Sequence, residues 1–189
     1  MSEGRDLTWK KLSSEYLLRD TWATIRIDSC EKPDGVIVEP YYVYEFPNWV
    51  TALAFTKDGK IILERQYRHA LGETMYEIPG GCVDASDKSF EDAIARELLE
   101  ETGYKFERFE YLGKTSANPS TNTNLMHMFI AYGGELVQEQ ELDHGEDLEV
   151  LFVTMEELLD LLERGEFMQA MHTTCLYIAL KKLGKFSLK

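Results

Sequence analysis

The sequence predicts an α+β fold, an α/β/α sandwich in which helices cover both faces of a mixed β-sheet, with an N-terminal β-hairpin as an extension. Three observations predict this class. Strand patterns separated by tight turns fill the first half of the chain, a strongly patterned helix follows at its centre, and two further helices close it. The order of these elements fits a sheet enclosed by helices.

Two hairpins are predicted in the first half. Each joins two runs of β-branched and aromatic residues through a turn that contains Asp-Gly. The first hairpin pairs Trp22 to Ile27 with Val36 to Phe46, and the second pairs Val50 to Phe55 with Ile61 to Tyr67. The aromatic residues of the first hairpin are assigned to core or interface packing, because that is the usual place of aromatic residues in strands.

The central helix is predicted to run from about Ser89 to Thr102. Ser89 followed by Asp92 is typical of a capping box, and Gly103 of a C-terminal stop. At about 100° per residue, two acidic residues fall within roughly 20° of Phe90, in the middle of the apolar stripe. The stripe consists of Phe90, Ala93, Ile94 and Leu98, and the acidic residues within it are Glu97 and Glu101.

This placement of Glu97 and Glu101 is energetically unfavourable. Like charges four residues apart cost about 0.2–0.5 kcal/mol, proximity to the negative helix end costs about 0.3–1 kcal/mol, and partial burial raises both. A bound divalent cation removes these penalties together. The alternative, a solvated acidic helix end, fits Glu100 but not two acids on the buried face.

A glycine pair precedes this helix, in Pro79-Gly80-Gly81. Glycine permits a close approach of backbone to a metal or a phosphate oxygen, although a lone Gly pair is usually a plain turn. Together with the helix, however, the pattern resembles the Nudix box, Gly, five residues, Glu, seven residues, Arg-Glu-apolar-any-Glu-Glu-any-Gly-apolar. The matching residues are Gly81, Arg96, Glu97, Leu98, Glu100, Glu101, Gly103 and Tyr104. Asp87 replaces the first Glu of the box, and one extra residue separates it from Arg96.

Further residues resemble the ADP-ribose pyrophosphatase branch of Nudix hydrolases. Gln66-Tyr67-Arg68 and Glu77-Ile78-Pro79 precede the box, and Pro119 lies fifteen residues after Tyr104. The resemblance implies that Arg68 and Glu77 lie near the diphosphate and the substrate pocket, with Pro119 also at the substrate. Glu146, in the loop Asp143 to Asp147, matches the late-loop Glu that this branch brings to the metals. By residue pattern alone, this charge run is a solvated loop.

The second half of the chain completes the sheet and the outer helices. Three strands are expected, at Phe106 to Lys114, Leu125 to Tyr132 and Leu148 to Val153. Thr154 and Glu157 predict a capping box for a helix that ends at Glu163. A last helix is predicted within Phe167 to Leu183, with core positions Met168, Met171, Cys175, Ile178 and Ala179.

Length and composition limit the classes of protein to which the chain can belong. The 189 residues predict a single domain, with residues 1–46 as a β extension and 47–189 as a catalytic core. No run approaches the ~18 apolar residues of a membrane span and no signal peptide is evident, so a cytoplasmic protein without membrane contact is expected. The net charge of −14 disfavours nucleic-acid binding. Three widely spaced cysteines predict neither a disulfide framework nor structural zinc.

The resemblance implies a hydrolase dependent on Mg²⁺, with Mn²⁺ as an alternative. Its substrate would be a small nucleoside diphosphate linked to another moiety, foremost ADP-ribose or an ADP-sugar. The expected metal ligands are the Gly80 carbonyl, Glu97, Glu100, Glu101 and Glu146, with Arg96, Glu101 and Glu146 as catalytic residues. The branch also implies a homodimer formed through the N-terminal hairpin.

Two alternatives stay open. One keeps the enzyme and changes the substrate to a GDP-sugar, a nucleoside triphosphate or a dinucleotide. The other is a Nudix-fold sensor that binds nucleotide without turnover. The complete set of box carboxylates favours an enzyme, because binding alone does not require so many unfavourable charges.

Overall fold

The computed structural model describes residues 4–21 and 23–186. Its backbone divides into two compact units, one formed by residues 1–46 with 118–124 and the other by residues 47–117 with 125–189. They are called the amino-terminal unit and the larger unit below. The organisation of residues 1–189 as a single domain stays a prediction.

The amino-terminal unit is a three-stranded antiparallel sheet in the order β1-β2-β3. Its strands are β1 (Lys10–Arg19), β2 (Thr24–Glu31) and β3 (Ile37–Glu45). The β2–β3 hairpin is close to the predicted one, although Trp22, its predicted first residue, lies outside the described residues. Strand β1 was not predicted from the sequence. All of its residues are exposed, so it lacks the alternation of buried and exposed positions by which a strand is recognised in a sequence.

The larger unit contains a seven-stranded mixed sheet. Its central path is β10-β5-β4-β9-β7, with β6 paired to β5 and β8 paired to β9. Strands β4 and β9 are parallel and the other pairs are antiparallel, which confirms the predicted mixed sheet. The strands are β4 (Trp49–Thr56), β5 (Ile61–Arg68), β6 (Glu73–Glu77), β7 (Tyr104–Lys105), β8 (Arg108–Thr115), β9 (Met126–Leu136) and β10 (Leu148–Val153).

Three helices cover the two faces of this sheet, as the sequence predicted. They are α1 (Phe90–Thr102), α2 (Met155–Glu163) and α3 (Ala170–Lys182). Ile94 and Leu98 of α1 pack with Ile62 in the apolar core on one face. Leu158 of α2 and Leu176 of α3 pack in the core on the other face. Because side chains alternate along a strand, the even-numbered residues of β5 that follow Ile62 continue the face covered by α1.

The predicted helix ends are confirmed. The Ser89 hydroxyl accepts a hydrogen bond from the Asp92 amide at 3.0 Å, and Gly103 ends α1 with a φ of 75°. Thr154 and Glu157 form the complete capping box of α2. These ends were predictable because caps depend on residues within one helical turn.

Three predicted core positions are wrong. Phe90 is 36% exposed, because it is the first residue of α1, and it stacks on His127 with the ring centroids 3.5 Å apart. Met168 precedes α3, which begins at Ala170, and is 50% exposed. Ile178 is 38% exposed on α3, whereas its neighbour Ala179 is buried.

The cysteines Cys30, Cys82 and Cys175 are free, in agreement with the sequence. Among residues 4–21 and 23–186, no helix is long and apolar enough to cross a membrane.

Candidate active site

The acidic face of α1 forms the centre of the candidate site. Glu97 and Glu101, one helical turn apart, are 8% and 5% exposed and lie on the side of the helix that faces the sheet. The adjacent helical positions, Ile94 and Leu98, are fully buried apolar residues. The predicted burial of two carboxylates is therefore confirmed.

Arg96 connects this helix to the preceding loop. Its guanidinium group donates two hydrogen bonds to Asp87, at 3.1 and 3.0 Å, and one to the Cys82 carbonyl at 2.9 Å. It also contacts Glu100 at 2.8 Å and Glu97 at 3.1 Å. The pKa of Arg96 is raised, chiefly by its hydrogen bonds to Asp87. Asp87 thus pairs with Arg96 although its side chain is shorter than Glu and the loop is one residue longer than in the box.

The two glycines let the loop pass directly against the carboxylates. Gly80 has a φ of 149°, and a Cβ at this position would lie 2.1 Å from the Val50 carbonyl oxygen. Its amide donates a 2.8 Å hydrogen bond to Glu101 Oε2. A Cβ at Gly81 would lie 2.6 Å from the carboxylate of Glu97. A side chain at either position would displace the loop or the acidic groups.

Burial and mutual repulsion favour the protonated forms of Glu97 and Glu101. Burial, assisted by Glu100 and Glu146, raises the pKa of Glu97 to about 7 against the opposing effect of Arg96. Burial also raises the pKa of Glu101 well above its ordinary value, and the charges of Glu64 and Glu97 add to this effect. A divalent cation would reverse this preference by stabilising the ionised forms.

The donor set fits a hard divalent cation, because carboxylate and carbonyl oxygens are the ligands that Mg²⁺ prefers. Within the described parts of the chain, no three acidic, His or Cys groups already converge as a cation cage. Arg96 engages Glu97 and Glu100 instead.

Glu64 is a site residue that the sequence analysis missed. It lies on β5, is 3% exposed, and its Oε1 has no hydrogen-bond partner among the residues that the structure describes. Its carboxyl group lies within hydrogen-bonding reach of Glu101, and burial raises its pKa, with the charge of Glu77 as the next largest cause. Residues two positions apart in a strand lie on the same face, so an acidic residue two positions after the apolar Ile62 could have been recognised as a carboxylate on the buried face. It is the same anomaly that identified Glu97 and Glu101.

Arg68 and Glu77 form an ion pair on neighbouring strands. Arg68 Nε and Nη2 donate to the two oxygens of Glu77 at 2.9 and 2.5 Å, and Glu77 is buried. The buried His172 has its Nδ1 4.0 Å from Glu77, and burial lowers its pKa to about 4, so it is neutral at physiological pH. The charges of Glu101 and Glu64 also act on Arg68. The structure thus brings this pair beside the carboxylates of α1.

The late-loop acid and the predicted proline lie in different units. Glu146 belongs to the larger unit, is partly buried, and contributes to the raised pKa values of Glu97 and Glu101. Its Oε2 accepts a hydrogen bond from the Asp143 amide at 3.1 Å. Pro119 belongs to the amino-terminal unit, in a turn where Thr121 bonds to the Asn118 carbonyl.

Comparison with known families agrees with this geometry. Residues 46–171, well over half of the chain, match the NUDIX domain family. The chain belongs to the Nudix family. Residues 9–44 match a second family, the nucleoside diphosphate sugar hydrolase N-terminal domain. The Nudix match includes the whole of α1, its preceding loop and the loop that contains Glu146.

Several Nudix relatives cover most of this chain. The ADP-ribose pyrophosphatase of Bacillus subtilis is 31% identical over 180 residues, which are 94% of this chain and 96% of that protein. The GDP-mannose pyrophosphatase of Escherichia coli K12 is 30% identical over 168 residues, 82% of this chain and 86% of that protein. A crystal structure of an ADP compounds hydrolase superposes with a TM-score of 0.82 at 24% identity, over 97% of this chain and 100% of that one. This likeness confirms the Nudix-type fold.

Proposed function

We propose that this Nudix protein hydrolyses the pyrophosphate bond of a nucleoside diphosphate linked to another moiety, with ADP-ribose or an ADP-sugar as the foremost substrate. The products are a nucleoside monophosphate and a sugar phosphate. The observation that supports this reaction most strongly is the pair of buried carboxylates on α1, of which Glu101 accepts a hydrogen bond from the Gly80 amide and acts on Arg68 through its charge. The two matching families and the names of the pyrophosphatase relatives support the same class of substrate.

Nudix hydrolases generally depend on divalent cations, and we propose Mg²⁺, or Mn²⁺ in its place, for this site. Glu97, Glu100, Glu101, Glu146 and the Gly80 carbonyl would hold it. When bound, the cation neutralises charge on the phosphate oxygens and acidifies the attacking water. Arg96 keeps Glu97 and Glu100 in position through its contacts with both.

The remaining residues act on the substrate and on the proton. The oxygen of water attacks one phosphorus atom, and the bond from that phosphorus to the bridging oxygen breaks. Glu146 takes the proton of the water, and the leaving phosphate carries the bridging oxygen away. Arg68, fixed by Glu77, lies near the diphosphate, where a guanidinium group can bind phosphate oxygens. Pro119 is also proposed as a substrate-binding residue.

A substrate screen tests this function. The purified protein with Mg²⁺ is expected to release phosphomonoesters from ADP-ribose faster than from ADP-glucose, GDP-mannose, NADH and diadenosine polyphosphates, and EDTA should abolish turnover. Preference for GDP-mannose would move the assignment to a GDP-sugar. Tight nucleotide binding without turnover of any compound would instead identify a sensor and contradict the proposed hydrolysis.

A homodimer is expected to form through the amino-terminal unit. This unit exposes many large apolar side chains. They include Leu12, Tyr16, Leu17, Leu18, Val36, Ile37 and Tyr42. Light scattering at micromolar concentration should give about twice 21.8 kDa. A fully active monomer would contradict this expectation.

The cytoplasmic location and the lack of nucleic-acid binding stay predictions.

A further inference from the structure

Glu64 is a deeply buried carboxyl group in the candidate site. It is 3% exposed, and Oε1 is buried without any hydrogen-bond partner in the described structure. A buried carboxylate without a cationic partner is strongly unfavourable relative to an apolar residue of similar size. The adjacent positions on the same strand, Ile62 and Leu63, are fully buried apolar residues. Packing alone would therefore favour an apolar residue at position 64.

The nearest cation does not satisfy Glu64. Arg68, four residues along the same strand, gives both of its short hydrogen bonds to Glu77. Glu77 lies directly opposite Glu64 in the register of β5 and β6, so Glu64 has a second negative charge as its cross-strand neighbour. Among the described residues, the ion pair beside Glu64 thus gives its carboxylate no direct cationic partner.

Glu64 lies against the sheet-facing side of the acidic helix. Its carboxyl group is within hydrogen-bonding reach of that of Glu101. Glu101 Oε2 also accepts a hydrogen bond from the Gly80 amide. The charge of Glu146 acts on both residues. Glu64 of the strand and Glu101 of the helix therefore lie close together, and the charge of the loop residue Glu146 acts on both.

We infer that Glu64 is a further metal ligand, which holds a divalent cation jointly with Glu101 at the junction of β5 and α1. This inference rests on the proposed metal-dependent function and adds a ligand from the sheet to those of the helix and loop. The cation would give Glu64 a direct positive partner, whereas Arg68 acts on it only through the longer-range effect of its charge. Two carboxylates from different elements can bind one hard cation together, since oxygen ligands at about 2.0–2.6 Å satisfy Mg²⁺, Mn²⁺ or Ca²⁺.

Mn²⁺ binding by the full chain tests this inference without recourse to activity. Titration calorimetry at pH 8 should show that Glu64→Gln weakens the affinity for at least one Mn²⁺ ion by fivefold or more. Glu107→Gln is the matched control, because it removes the same charge from an exposed residue that contacts Lys57. A smaller loss in Glu64→Gln, or an equal loss in the control, would overturn the inference.

Crystals of the unmodified protein grown with Mn²⁺ provide a second measurement that needs no variant. The anomalous signal should place an ion within coordination distance of oxygens from both Glu64 and Glu101. If Glu64 and Glu101 merely share a proton, Mn²⁺ will be bound by the helix and loop carboxylates without Glu64, which rejects the inference while retaining the proposed function. If the unmodified protein binds no Mn²⁺ at all, the proposed function fails as well.

Discussion

Replacing Glu101 by Gln will lower kcat/KM by about a thousandfold or more and leave the fold intact. Glu101 is almost completely buried, it accepts a hydrogen bond from the Gly80 amide, and the charges of Glu64 and Glu146 act on it. Gln preserves the size of the side chain and can still accept the Gly80 amide, but it lacks the charge that holds a cation. A metal contributes several kcal/mol of transition-state stabilisation, and about 4 kcal/mol corresponds to three powers of ten in rate.

The same variant should be more stable than the unmodified protein when metal is removed. Burial raises the pKa of Glu101, so its ionisation favours unfolding once the pH exceeds the ordinary carboxyl value. The stability of the unmodified protein relative to Glu101→Gln is therefore highest below about pH 4.5 and falls as the pH rises through the raised pKa. Thermal melts in EDTA should show a larger advantage of the variant at pH 8 than at pH 5.

Glu91→Gln is the matched control for both measurements, because it removes an acid from the exposed side of the same helix. It should retain near-normal turnover. Near-normal turnover in Glu101→Gln would instead contradict the assignment of α1 as the metal-binding helix.

Replacing Glu146 by Gln will lower kcat by about 10²–10⁴ with little change in KM, as expected on loss of a general base. Glu97 and Glu101 would be engaged by metal, which makes their oxygens poor proton acceptors. Glu146 lies on a loop and is close enough to act on both carboxylates, while its Oε2 bonds to the Asp143 amide. Breaking this one weak contact would free the side chain to reach the attacking water.

The neighbouring acids provide the comparison for this prediction. Asp143→Asn, Asp147→Asn and Glu149→Gln should each have smaller effects on kcat. Glu149 in particular is exposed and lies 3.6 Å from Arg65. A Glu146→Gln effect below tenfold, or a larger effect in a neighbouring variant, would assign the base to another residue. Steady-state kinetics with saturating Mg²⁺ separates kcat from KM in each case.

The sequence by itself determined the features that depend on residues close together in the chain. The cap of α1 by Ser89, its stop at Gly103 and the β4–β5 hairpin follow from contacts within a few residues. The burial of Glu97 and Glu101 was also predictable, because helical periodicity fixes which residues share a face. The family resemblance came from these same local spacings.

The tertiary structure alone decided which distant residues meet those of the helix. Glu64 and Arg68 lie about thirty residues before Glu97 in the chain, and strand pairing determines that they approach α1. The bonding of Arg96 to Asp87 depends on the path of a loop whose length departs from the family pattern. The exposure of a residue also depends on distant parts of the chain. The exposure of Phe90 and the presence of strand β1 therefore could not be predicted from the periodicity of the sequence. A sequence pattern shows which residues share a face, but the packing of other elements determines what that face contacts.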